Sequence, residues 1–101
     1  MSDFHILGKK GEELAAEFLK KEGYTILEKN WKAGKLEIDI IAREEDEIIF
    51  VEVKTRSDNY LATPESAVNT KKQRSIISAA DRYLKKNRID MESRFDIITL
   101  V

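Results

Sequence analysis

Asp39, Glu52 and Lys54 are the residues of this sequence whose types and spacing most directly suggest chemistry. Side chains two apart on a strand share a face. In the run Ile48-Ile49-Phe50-Val51-Glu52-Val53-Lys54, Glu52 and Lys54 therefore project together, while Ile49, Val51 and Val53 face the other way. Asp39 lies in the apolar stretch 36–42, and the charged segment 43–47 between the two runs is short enough to be a hairpin turn. Antiparallel neighbours can set Asp39 beside Glu52 across the ladder. Two hard carboxylate oxygens suit Mg²⁺ or Mn²⁺, which keeps several waters and completes its shell with substrate phosphate. Such an ion polarises a phosphoryl oxygen and lowers the pKa of a bound water. A lysine alongside can orient or deprotonate that water, or offset charge in the transition state. The plainer reading of the same three residues is a cross-strand salt bridge, Asp39 with Lys54 or Glu52 with another lysine.

The elements that must position these groups follow from periodicity and punctuation. Residues 8–22 read as a helix, with Gly11, Leu14, Ala15, Phe18 and Leu19 on one side and Gly23 as the stop. Glu12 falls on the apolar half, beside Ala15, Ala16 and Leu19, where a carboxylate is costly without a partner such as Lys54 or a metal-bound water. An edge position reaching solvent explains it equally well. Residues 24–28 alternate as a first strand, 30–35 with Gly34 read as a turn, and 36–42 and 48–54 read as the second and third strands. The third is apolar on both faces, as a covered central strand would be. A polar loop spans 55–63, and Pro64 suits the first turn of a short helix. Thr70-Lys71-Lys72-Gln73 fits a capping box that opens a helix to about Asn87, with Ile76, Ile77, Ala80, Tyr83 and Leu84 as its core face. Residues 94–101 form the last strand. The order α-β-β-β-α-β predicts an α/β fold, a mixed β-sheet flanked by helices.

Composition narrows the function classes. A chain of 101 residues fits one domain, 1–101. It has no cysteine, which excludes disulfide scaffolds and cysteine-based metal or redox sites. No apolar run is long enough to cross a bilayer, and residues 1–10 lack the pattern of a signal peptide, so a cytoplasmic protein without a membrane partner is expected. The net charge is only −1, but it is unevenly distributed. Residues 1–53 carry eight Lys/Arg against thirteen Asp/Glu, a net of −5; residues 54–101 carry ten against six, a net of +4. The basic excess includes Arg56 in the polar loop and Lys71, Lys72 and Arg74 at the start of the second helix, a surface able to hold phosphates. A solvated helix face accounts for the same residues.

The ordered set Gly8-Lys9-Lys10-Gly11-Glu12, Leu36-Glu37-Ile38-Asp39-Ile40-Ile41-Ala42, Phe50-Val51-Glu52-Val53-Lys54-Thr55-Arg56, Ala67-Val68, Lys72-Gln73 and Arg94-Phe95-Asp96 resembles the YraN-like family of bacterial proteins over nearly the whole chain. That family is similar to archaeal Holliday-junction resolvases and belongs with the PD-(D/E)XK nuclease-like superfamily. The resemblance implies a restriction-endonuclease-like core. It implies Asp39 and Glu52 as metal carboxylates, the Val53 carbonyl as a further ligand, Lys54 as the catalytic lysine and Glu12 as the helical glutamate. Gln73 or Lys72 matches a further polar position, although Gln73 is also explained as the capping partner of Thr70. Leu36 stands where the family usually has Gly, and the family usually continues beyond the final strand. The expectation is a Mg²⁺- or Mn²⁺-dependent endonuclease acting on DNA, branched or junction DNA in particular, paired as a homodimer on a two-fold junction. The rivals are a nucleic-acid-binding module without catalysis and a protein-interaction domain whose charges are only structural.

Overall fold

The computed structural model describes residues 3–55 and 70–100, with side chains for 11–54 and 74–100. Its elements are α1 (Asp3–Lys21), β1 (Thr25–Ala33), β2 (Leu36–Glu44), β3 (Glu47–Thr55), α2 (Thr70–Lys86) and β4 (Glu92–Leu100), the order α-β-β-β-α-β. The strands form one mixed sheet in the order β1-β2-β3-β4. The first three are an antiparallel meander, and β4 joins parallel to β3. Arg56, the remainder of the polar loop and the short helix expected after Pro64 lie outside the described residues.

Helices cover the two faces of the sheet. α1 packs on β3, β1 and β2, and α2 packs on β2 and β1. Ile49 and Val51 face α1, where they meet Ala15, Ala16 and Leu19; Ile48 and Phe50 face α2, where they meet Ala79, Ala80 and Tyr83. The Ile48-Ile49-Phe50-Val51 run is thus apolar on both sides because both sides are covered, as expected of an inner strand.

The helices are rolled relative to the stripes that periodicity suggests. On α1, Leu14 and Phe18 are exposed, and the buried line runs through Gly11, Ala15, Ala16 and Leu19. On α2, Ile77 is exposed while Ala79 is buried. In each case the sheet has taken the small side chains, which let a helix approach closely. The roll of α1 turns Glu12 toward the protein, where it is half-buried. Gly23, at φ 94°, ends α1: Tyr24 N–H donates to the Leu19 carbonyl at 2.9 Å and Gly23 N–H to Lys20 at 3.1 Å, a pattern that a left-handed residue closes.

β1 corrects the expected boundaries. It runs to Ala33 instead of turning at Asn30. Lys29 pairs with Ile40 and Trp31 with Ile38, so Asn30 and Asp39 lie opposite each other inside the ladder. Asn30 has φ 53°. Along β2, Ile40 and Ala42 face α1 and Ile41 faces α2, but Ile38 is on the α2 side, where strict alternation would not place it. Trp31 is on that side as well, with its ring edge-on to Tyr83 at 5.2 Å. Both strands therefore change face at the Asn30–Asp39 position, and the hairpin tip beyond it bends over α2.

Candidate active site

β3 carries the first two groups. Ile48 and Phe50 face α2, so alternation places Glu52 and Lys54 on that same side, past the end of the apolar run. Lys54 Nζ lies 3.1 Å from Glu52 Oε1, and the two side chains are only 17% and 14% exposed. This ion pair is more sheltered than those of the helix surface, where Lys85 and Asp81 are 77% and 57% exposed.

Asp39 arrives from β2. The ladder of β2 with β3 closes at Ile40 and Val51, and the next position would set Asp39 against Glu52. There a side chain takes over: Val53 N–H donates to Asp39 Oδ2 at 2.9 Å. In an extended strand, the N–H and C=O of one residue face the same neighbour. The Val53 carbonyl therefore opens toward Asp39 as well. Asp39 and Glu52 line one cleft of about 310 Å³, floored by Phe50 and walled by Ile76 of α2 and by Phe95 and Ile97 of β4.

Glu12 approaches from the other face of the sheet. Burial, and next the negative charge of Asp39, raise its carboxyl above the ordinary value of 4.5. Glu37 adds to the rise, whereas a hydrogen bond from the Asn30 side chain and the charge of Lys29 oppose it. The structure thus brings Glu12 within electrostatic reach of Asp39. Among the described residues no group of three or more His, Asp or Glu closes into a ligand cluster. Glu37 and Asp96, which sequence reasoning did not single out, also line the cleft, although the Asp96 carboxylate accepts from Arg94.

The basic residues are placed less fully. Lys71, Lys72 and Gln73 belong to the first turn of α2, but their side chains lie outside the described ones, as does that of Thr70 and with it the capping box. Arg74 is exposed on α2, two positions before Ile76. Sequence reasoning also missed Asn30. Its signal was present, since asparagine enters the left-handed region more readily than most residues, in a strand as in a turn.

The profile described as Uncharacterised protein family UPF0102 matches residues 11–100, which span α1 to β4. The chain belongs to the UPF0102 family. A UPF0102 protein of Parabacteroides distasonis is 52% identical over 95 residues, covering 94% of this chain and 78% of the relative. One from Phocaeicola vulgatus is 48% identical over 101 residues, covering 100% and 84%. One from Porphyromonas gingivalis is 42% identical, covering 100% and 75%. The UPF0102 assignment agrees with the YraN-like resemblance of the sequence. Among the described residues no helix is long and apolar enough to cross a membrane.

Proposed function

We propose that this UPF0102 member is a metal-dependent endonuclease that hydrolyses phosphodiester bonds in DNA. The observation that carries the reading is the meeting at one strand end of Asp39, held by Val53 N–H at 2.9 Å, with the sheltered Glu52–Lys54 pair.

The donor set fits the ion. Asp39 and Glu52 supply two hard carboxylates in one cleft and the Val53 carbonyl opens beside them. A small oxygen-only set suits Mg²⁺ or Mn²⁺, which fills the rest of its shell with water and phosphate. When bound, the ion supplies Lewis-acid activation of the phosphoryl group and of water. The remaining steps belong to the chain. The Val53 N–H fixes the direction of the Asp39 carboxylate. Lys54, held against Glu52, is placed to orient the attacking water and to offset charge that builds on the phosphoryl oxygens. Glu12, with its raised affinity for a proton, is placed to hold a water on the far side of Asp39. Arg56, Lys71, Lys72, Gln73 and Arg74 supply the surface that grips the backbone, which positions substrate without reading bases. Branched or junction DNA is the substrate class to be tried first, with a homodimer as the working form.

A second reading has one observation in its favour. The Lys54–Glu52 contact is also what a purely structural salt bridge looks like, and a nucleic-acid-binding module with a degenerate site would retain it. The test is incubation of the protein with labelled linear, single-stranded, flap and four-way-junction DNA in Mg²⁺ or Mn²⁺, beside Asp39→Asn and Lys54→Ala. Cleavage by the wild type alone, with both variants folded, supports the nuclease. Absence of cleavage on every substrate, with salt-sensitive junction binding intact in all three proteins, selects the binding module.

A further inference from the structure

We propose that the cleft beside Asp39 and Glu52 takes one unpaired nucleobase, stacked on Phe95, from the strand whose phosphate lies at the two carboxylates; this rests on the metal-dependent reading above. The substrate is then DNA with an unpaired nucleotide at the point of cleavage, not a continuous duplex. The opening follows from where the helix sits. α2 packs on β2 and β1, and beside it the same face of β3 and β4 is left as a cleft of about 310 Å³. Phe95 of β4 pairs with Phe50 of β3 in the ladder. It rests one ring face on Phe50, with centroids 5.5 Å apart and planes 28° from parallel. Phe95 is nonetheless 46% exposed, Ile97 beside it 48% and Ile77 across the cleft 56%. Exposed apolar side chains gathered at one place mark a binding surface.

The end of the cleft narrows what can fill it. Asp39 and Glu52 line the same space, so a wholly apolar occupant would press against two carboxylates, which is costly. A nucleotide meets both parts: its phosphate completes the shell of an ion on the carboxylates, and its base lays a flat face on the Phe95 ring. Ligand pockets run from about 300 to 1,000 Å³, and this one, at the small end, suits a single ring system. A base inside a duplex has its faces covered by its neighbours, and freeing it costs least where it is already unpaired. Every base has such a face, so stacking selects the unpaired state and not a sequence.

The test reads binding apart from cleavage. A labelled DNA hairpin with a short single-stranded flap is compared with the same hairpin whose flap nucleotides are abasic. Affinities for the full chain are measured by fluorescence anisotropy in Ca²⁺, a hard cation that takes the same kind of oxygen ligands. The wild type is expected to bind the base-bearing flap about tenfold more tightly, the scale of stacking one base on an aromatic ring. Phe95→Ala should lose that difference. Phe95→Leu, which keeps an apolar side chain against Phe50, should lose it too, and Phe95→Tyr should retain it. Equal affinity of the wild type for the two flaps overturns the proposal, and so does a difference that survives in Phe95→Leu. Cleavage of both DNAs in Mn²⁺ is then followed separately. Cleavage without discrimination between the flaps overturns the base site alone. Discrimination without cleavage of either supports the base site and overturns the nuclease reading instead.

Discussion

The two ends of β3 each hold a cluster of charge, and the clusters are built differently. At the Glu47 end, one arginine serves every acceptor around it: Arg94 donates to Glu47 at 2.6 Å, to Asp96 at 3.1 Å and to the Tyr24 hydroxyl at 2.6 Å. A planar guanidinium with five N–H donors suits such a role. The cluster ties β4 to β3 and to the start of β1. At the other end, Glu52 pairs with Lys54 at 3.1 Å, Glu37 with Lys32 at 3.9 Å, and Glu12 feels the charges of Asp39 and Lys29. There the Asp39 charge raises the Glu12 carboxyl further. The first arrangement shares one guanidinium between two carboxylates and a hydroxyl and holds strands together. The second sets Asp39 and Glu52 in one cleft, with Glu12 on the other face of the sheet, and on the metal-dependent reading it is the place for the cation.

The contrast can be broken by experiment. The largest effect expected is on thermal stability in divalent metal. Mg²⁺ at a hundred times its dissociation constant should add about 2.7 kcal/mol to the folded state. Arg94→Met should retain that gain and Asp39→Asn should lose it, as followed by melting temperature against metal concentration. A gain retained in Asp39→Asn would remove the distinction between the ends. Next in size is Arg94→Met itself, which should cost about 1 kcal/mol, discounted because its side chain and those of Glu47 and Asp96 are each about a third exposed. That loss should appear in urea unfolding with or without metal, and DNA cleavage should be unaffected. The smallest effect sharpens the comparison. Because the Glu12 carboxyl is raised when folded, the native chain holds this proton more tightly than the unfolded chain does. Stability from this group is therefore lost as pH rises through the raised value. Glu12→Gln should be more stable than the wild type at pH 7 by a few tenths of a kcal/mol, and the gap should close as pH falls toward 4.5. A gap that stays constant with pH would show that the carboxyl is not strained by its surroundings.

Much of this was legible in the sequence. The element order came from periodicity, and the two-residue spacing of Glu52 and Lys54 placed them on one face. The short charged turn made Asp39 their neighbour. Other parts were hidden for physical reasons. A helical stripe is wide, and periodicity does not say which edge the sheet will take; that choice depended on Ala15, Ala16 and Ala79, whose small size only matters once the partner surface exists. Residues 30–35 read as a turn on the strength of Gly34, yet pairing on either side of Asn30 keeps the strand going to Ala33 although Asn30 itself has φ 53°. The hydrogen bond from Val53 N–H to a side chain was beyond sequence reasoning, since strand patterns assume backbone acceptors. The roles of Lys71, Lys72 and Gln73 rest on side chains outside the described ones.

The bend at Asn30 also has an optical consequence. It places the sole tryptophan of the chain, Trp31, on the hairpin tip with its ring against Tyr83 of α2. Indole emission responds to its local surroundings, whereas far-ultraviolet circular dichroism averages over the backbone. The wavelength of this one fluorophore therefore follows the tip of the β1–β2 hairpin against α2 while the dichroism follows the whole sheet. Opening of that end ahead of global unfolding would register as a red shift at constant ellipticity, with no label attached.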